Sequence, residues 1–262
     1  MYSVSVVVID NDDHDGLSGA IVDRAADFRF PLRYVHAPAR NISVARNAAL
    51  DAAEGRWLLF IDDDEVAHRD WLRTIVAHRE GADAVIGRSV ATYADHLPGW
   101  AARCDFHSNA IESNPVNAYT SNALLDMDFV RRQGLRFRLE LGRTGGEDSV
   151  FFRQMHLAGA RICYCPDAVV FEPVPPVRAT MTWVFRRKYR AGQTHGLLCR
   201  EFDRSAYARL FVTAGAKAVA SFVMSLAVLP GTDRSRRWLA RGVFHIGALR
   251  YRIAPRIMEE YG

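Results

Sequence analysis

The chain has only two lysines, Lys188 and Lys217, so arginine carries nearly all of its positive charge. Its four cysteines (Cys104, Cys163, Cys165 and Cys199) include no C-x-x-C pair. That spacing argues against a structural zinc site, and nothing in it demands an oxidising compartment. Met1 runs straight into an apolar stretch without a basic leader, so no secretory signal is read and a cytosolic site of action is expected. No Gly-rich phosphate-binding loop lies near the start, which removes support from a nucleotidyltransferase reading. No nucleic-acid-binding motif accompanies the arginines, so no nucleic-acid partner is expected. No internal repeat divides the chain.

What is present is a core. Hydrophobic residues make up 49% of 262, which suits one large α/β domain, or one domain with an appendage, and excludes a disordered chain. The net charge of +4 is unevenly placed. From Arg178 onward there are 16 Lys+Arg against 5 Asp+Glu, a balance of +11, which leaves −7 for the residues before it. An acidic front suits metal or polar chemistry, and a basic rear suits an anionic partner or a solvated helical surface.

Val4–Ile9 is a nearly unbroken β-branched run, the pattern of a strand buried on both faces of a parallel sheet. A helix is expected near Ser18–Ala26, a strand at Leu32–His36, and a helix capped by Asn41 that runs to about Ala53. Trp57–Ile61 reads as a strand, Trp71–Ala77 as a helix and Ala84–Ile86 as a strand. Ala118–Leu125 is a strand, Glu147–Leu157 a helix opening on two carboxylates, and Arg161–Tyr164 and Ala168–Phe171 are two short strands. The alternation implies an α/β fold with a mostly parallel sheet. The segment from Thr92 to Asn117, rich in Asn, His and aromatics, resembles a substrate-facing insertion. Pro173, Pro175 and Pro176 mark a boundary, which gives residues 1–177 as a core and 178–262 as a basic helical region. Within the latter, Leu210–Leu229 is apolar except for Lys217 and a narrow stripe of Thr213, Ser221 and Ser225. A bilayer span, a helix lying in the membrane interface and a buried helix of a soluble domain all fit this run.

Three constellations carry chemistry. Asp62-Asp63-Asp64 directly follows the Trp57–Ile61 strand, where ligands of open α/β sheets bind. Clustered carboxylates repel unless a cation neutralises them, and Mg²⁺ or Mn²⁺ suits such oxygen ligands and bridges to diphosphate oxygens. Gly145-Gly146-Glu147-Asp148 joins a loop that admits close backbone approach to a carboxylate able to act as general base, or else simply caps a helix. Asn41–Asn47 places Arg46 on a small-residue helix, where it meets the acidic turn, donor phosphates or one structural ion pair.

In this order, the A-R-N helix, the strand ending in Asp-x-Asp, the S-N-A-L-L strand and the G-G-E-D helix resemble family 2 glycosyltransferases with the GT-A fold, a Rossmann-like sheet that binds nucleotide-diphospho-sugars. The resemblance covers about residues 4–195. It is closer to the exopolysaccharide β-glycosyltransferases of succinoglycan type through N-I-S-V-A-R-N, F-I-D-D-D-E, G-G-E-D, F-E-P-V-P and R-A-G-Q-T-H-G. It implies an inverting, metal-dependent hexosyltransferase that moves a sugar from a UDP-sugar donor to a lipid-linked saccharide acceptor. The work would be done at the cytoplasmic face of a bacterial inner membrane, with peripheral membrane contact, or in the cytoplasm.

By that resemblance Asp62 and Asp64 hold Mg²⁺ or Mn²⁺ on the donor diphosphate, with Asp64 the direct ligand and Asp63 beside them on the donor side. Asp148 is the base. Asp10 and Asp12 contact the nucleobase, Arg46 supports the donor site, and His195 contacts the phosphates as Arg190–His195 closes. The sequence departs from the family in two ways. The first β-α unit, the opening part of a βαβ motif of about 30 residues, is missing. Phe171 stands where relatives carry a His metal ligand, which leaves Glu172 to substitute. The missing unit also sustains an alternative, a non-catalytic domain that binds saccharide or partner enzymes.

Overall fold

A computed structural model describes residues 3–109 and 118–259. Two parallel strands, β1 (Val6–Asp10) and β2 (Leu32–His36), are joined through α1 (Ser18–Asp27) and form a sheet of their own. Helix α2 (Ile42–Ala52) starts where the Asn41 side chain accepts from the amides of Ser43 (3.0 Å) and Val44 (3.3 Å), satisfying two amides that a helix start leaves unpaired.

The larger sheet has the order β3-β6-β5-β7-β4, built from β3 (Trp57–Ile61), β4 (Val66–Ala67), β5 (Ala84–Thr92), β6 (Asn122–Asp126) and β7 (Ile162–Pro173). The expectation of a mostly parallel sheet needs correction. β6 runs antiparallel to both β3 and β5, β4 runs antiparallel to β7, and only β5 with β7 is parallel here. The reason lies in the connections. β6 returns from the long 93–121 excursion and enters between β3 and β5 from the opposite end, which a helical crossover would not do. Residues 110–117 of the supposed substrate-facing segment lie outside the described residues. Before them stands a short helix, α4 (Gly99–Cys104).

The two short strands expected at 161–171 are one strand, β7. Gly87 pairs with Cys165 and Arg88 with Val169, so three residues bulge out between them. Asn122 closes the irregularity. Its amide donates to the carbonyls of Arg88 (3.1 Å) and Ala168 (2.8 Å) and accepts from Trp71 Nε1 (2.8 Å).

β5 over Ala84–Ile86 and β6 over Ala123–Leu125 are buried on both faces, which explains the apolar runs there. Ile86 and Leu125 join Phe137, Phe151, Phe152 and Met155 on one side, where α5 (Met127–Arg132) and α6 (Glu147–Leu157) pack. Val85 and Leu124 join Ile75 of α3 (Trp71–Ala77) and Cys165 on the other. Phe137 and Phe151 stack with ring centroids 4.2 Å apart.

β1 and β3 behave differently. They belong to separate sheets, their apolar residues are mostly only half-buried, and successive residues of both line one large cavity.

Three long helices follow: α7 (Met181–Phe202), α8 (Arg204–Ala227) and α9 (Asp233–Ile253). α7 and α9 touch backbone to backbone. A Cβ at Gly192 would lie 1.9 Å from the Phe244 carbonyl, and one at Gly247 would lie 1.9 Å from the Tyr189 carbonyl. The stripe expected on α8 divides in two. Thr213 and Lys217 are exposed, whereas Ser221 and Ser225 turn inward beside Leu210, Ala214 and Ala218. Small hydroxyl residues let α9 approach, and the Ser225 and Ser235 hydroxyls satisfy each other at 2.9 Å.

Candidate active site

The cavity, about 1900 Å³, opens at the end of β3. On one side stand Asp62, Asp63 and Asp64, from the turn after β3, with Glu172 from the end of β7 and Asp148 from the first turn of α6. α7 lines the same cavity with Trp183, Arg187 and Lys188, and the Arg187 charge acts on Glu172. Carboxylates and cations lining one cavity suit a ligand that carries phosphate and brings a cation with it.

Asp148 owes its place to Gly145 and Gly146. Both have left-handed backbone, φ 76° and 91°, which a side chain would strain. Gly146 also abuts Thr194 of α7, whose Cγ2 would lie 2.6 Å from an added Cβ. The loop therefore positions both the carboxylate and the helix across from it. Asp148 Oδ1 accepts from the Ser149 amide at 2.7 Å.

Arg46 and Glu147 form a buried ion pair beneath the carboxylates, and Arg46 also lies over the Phe137 ring at 5.7 Å. Burial opposes the charge on Arg46, but Glu147, Asp148 and Asp62 outweigh it and its pKa rises. Burial pushes the Glu147 pKa up, helped by Asp148 and opposed by Arg46. The next residue, Asn47, exchanges hydrogen bonds with the Phe137 backbone at 2.8 and 2.9 Å, so α2 is anchored to the segment leading into α6.

Burial likewise raises the pKa of Asp62 to about 6. Arg46 opposes this, and the charges of Asp64, Asp148 and Glu172 add to it. Glu65, beneath the same turn, is pushed up to about 8 by burial and by Asp62, although it accepts from Ser89 Oγ at 2.9 Å. Burial also raises the Glu172 pKa, followed by the effect of Asp64. The turn is thus a region of surplus negative charge that a cation would relieve.

Arg178 stands between two of these carboxylates, 2.8 Å from Glu172 Oε1 and 3.6 Å from Asp64 Oδ2. Its carbonyl meets His107 Nε2 at 3.0 Å, and His107 stacks on Trp183 at 5.0 Å. Among the described residues no three His, Cys, Asp or Glu side chains converge as a ready-made metal cage. An oxygen-only set of one or two carboxylates still fits Mg²⁺ or Mn²⁺, because such ions keep waters and take the remaining ligands from substrate phosphates.

The other expected residues are dispersed. Asp10 is buried at the end of β1, lines the cavity, and accepts from Tyr34 Oη at 2.8 Å and from the Asp12 amide at 3.0 Å. Asp12 is exposed and lies 3.5 Å from Arg40. Asp63 is exposed at the cavity rim. His195 lines the cavity, but its near neighbours are Phe244 and the Cys199 thiol (3.6 Å). Burial, then Lys217 and Arg153, lower its pKa. In its motif, Gly192 and Gly196 serve packing against α9.

Sequence reasoning did not single out Arg178, Trp183, Arg187, Lys188 or Glu65. A Trp followed by three consecutive cations at 186–188 was the available signal, but it is indistinguishable from a solvated basic helix until α7 is seen to face the acidic turn.

Known proteins resemble this chain in sequence and in fold. The Glycosyl transferase family 2 profile matches residues 2–135. The succinoglycan biosynthesis protein ExoM of Rhizobium meliloti (strain 1021) is 39% identical over 265 residues, 98% of this chain and 85% of that protein. The glucosyl-dolichyl phosphate glucuronosyltransferase of Haloferax volcanii is 25% identical over 210 residues, 71% of this chain and 64% of that protein. Among solved structures, S. aureus TarS 1-349 in complex with UDP-GlcNAc superimposes with a TM-score of 0.52 at 14% identity, covering 99% of this chain and 88% of that one. GalNAc-T7 with UDP, GalNAc and Mn²⁺ gives a TM-score of 0.57 at 12% identity, covering 96% of this chain and 50% of that one. These structures share the GT-A fold. The profile match over half the chain, together with the near full-length match to ExoM, shows that this chain belongs to glycosyltransferase family 2.

Proposed function

We propose that the protein transfers a hexosyl group, with inversion, from a UDP-sugar to a lipid-linked saccharide in exopolysaccharide biosynthesis, at the cytoplasmic face of the bacterial inner membrane. The observation that carries the reading is that Asp148, the Asp62–Asp64 turn, Arg187 and Lys188 line one cavity. ExoM supports the pathway, and the UDP and UDP-GlcNAc complexes of TarS support the donor class.

In this reading Asp148 takes the proton of the acceptor hydroxyl while that oxygen attacks the anomeric carbon. The bond from that carbon to the diphosphate oxygen breaks on the opposite side, which inverts the configuration. One or two of Asp62, Asp64 and Glu172 would hold Mg²⁺ or Mn²⁺, which when bound supplies neutralisation of the leaving diphosphate. Arg178, Arg187 and Lys188 take up further negative charge on the leaving group. Asp10 orients the base of the nucleotide from the end of β1, with Asp12, Asp63 and His195 as outer contacts.

A second reading, a non-catalytic domain that binds saccharide or a partner enzyme, draws on the separation of β1 from β3, which leaves one wall of the cavity without a continuous sheet. Calorimetric titration of UDP with and without Mn²⁺ decides between them. Metal-dependent UDP binding is expected of the transferase. A folded sample that binds UDP under neither condition would put the second reading first.

A further inference from the structure

Helix α8 presents two faces of opposite use. Leu210, Ala214, Ala218, Ser221 and Ser225 pack against α9. On the other side Phe211, Val212, Val219, Val223, Leu226 and, just past the helix, Leu229 are between 54% and 76% exposed. At about 100° per residue these positions fall on one arc with exposed Arg209 beside it, while Thr213 and Lys217 lie toward the buried stripe. Scattered exposed apolar residues need no explanation, but an unbroken face along a helix about 36 Å long does.

The charges around this face select its occupant. From Arg204 to Thr232 there are cations (Arg204, Arg209 and Lys217) and no acidic residue, and Arg234 stands exposed just beyond. A second copy docking through the same face with its helix parallel would bring arginines against arginines, and an antiparallel copy would offer Arg204 and Arg209 no acidic residue between positions 204 and 232. An anionic headgroup layer complements them, while the apolar arc enters the acyl boundary. α8 does not cross the bilayer in this arrangement. One side of it is committed to α9 through the Ser225–Ser235 hydroxyl pair, and Lys217 stands exposed at mid-helix, where a span would put its charge at the bilayer centre.

We propose that α8 is a membrane-docking face that lies along the surface of a bilayer containing anionic lipid, with Phe211, Val212, Val219, Val223, Leu226 and Leu229 inserted to the depth of the headgroup boundary. The reading of a lipid-linked acceptor places the enzyme at a membrane, and docking rests on it only in that respect, because binding is measured without any sugar.

The test is vesicle flotation of the full chain with phosphatidylethanolamine–phosphatidylglycerol vesicles, phosphatidylcholine vesicles, and no lipid. The wild type is expected to float with the anionic vesicles. The double variant Val219→Asp/Val223→Asp is expected to lose at least tenfold in the bound fraction, with unchanged circular dichroism and unchanged UDP binding, since both side chains are exposed and neither lines the cavity. Equal flotation of wild type and variant would overturn the proposal. So would absence of wild-type binding to anionic vesicles, or a concentration-dependent dimer abolished by the variant without any vesicle binding, which would assign the face to a second copy. If UDP binding fails while vesicle binding holds, the transferase reading falls and the docking face stands.

Discussion

Arg46 and Glu147 pair inside the protein although 101 residues separate them, with side-chain exposures of 11% and 6%. The pair ties α2 to the first turn of α6, one residue from Asp148. Removing one member of a buried pair leaves the other charge uncompensated, at a cost of about 3–5 kcal/mol. Arg46→Ala should therefore be destabilised by about that amount in urea denaturation. Glu147 Oε2, which is buried without a hydrogen bond, would then lose its paired cation. A loss below about 1 kcal/mol would show that the pair is not sustained in solution.

Asp148→Asn should abolish sugar transfer while leaving UDP affinity within about twofold, because the amide keeps the shape but cannot accept a proton. Transfer and calorimetry measured on the same preparation check this. An active variant removes Asp148 as the base.

Arg178 holds the place between Asp64 and Glu172 where a cation is expected. Arg178→Ala should raise the affinity for Mn²⁺ alone, read by electron paramagnetic resonance, since two carboxylates lose their countercharge. In the wild type Mn²⁺ binding should weaken as the pH falls through about 6, where Asp62 takes up a proton. Unchanged Mn²⁺ affinity in Arg178→Ala would mean that the arginine does not compete for the site.

Glu65 titrates near 8 in the folded protein against 4.5 for the free side chain. Between those values the folded state holds a proton that the unfolded chain has released, so this group's contribution to stability declines as the pH rises. Glu65→Gln should therefore gain melting temperature over the wild type progressively from about pH 4.5 to about pH 8, and by a constant amount above that, in metal-free buffer. Scanning fluorimetry across this range would contradict the assignment if the difference were flat.

Gly87 faces the side-chain nitrogen of Asn122, 2.3 Å from where a Cβ would stand, and the Ala168 carbonyl at 2.5 Å. Gly87→Ala should cost about 1–3 kcal/mol, the usual range for overpacking, because neither neighbour can move without breaking the hydrogen bonds that close the β7 bulge. Thermal denaturation measures it.

Most of the elements were legible in sequence because their signals are local. β2, β3, α3 and α6 fall where apolar periodicity and caps put them, and Asn41 caps α2 through its own side chain. The acidic turn and the G-G-E-D loop were visible for the same reason: a carboxylate run after a strand and paired glycines before a helix are contiguous text. Strand direction was not legible, since an apolar run such as Asn122–Asp126 reads the same in either orientation and only the path of the connection sets it.

The sequence by itself determined the family, the bounds of β2, β3, α3 and α6, and which carboxylates stand at a strand end. Tertiary structure alone decided that Arg46 meets Glu147, that Arg178 lies between Asp64 and Glu172, and that α7 brings its cations into the cavity of the acidic turn. It also decided which side of α8 is buried. The physical reason is the same in each case. Periodicity and capping are encoded within a few residues, whereas ion pairs across the core and the choice of a helix face depend on chain segments that only packing brings together.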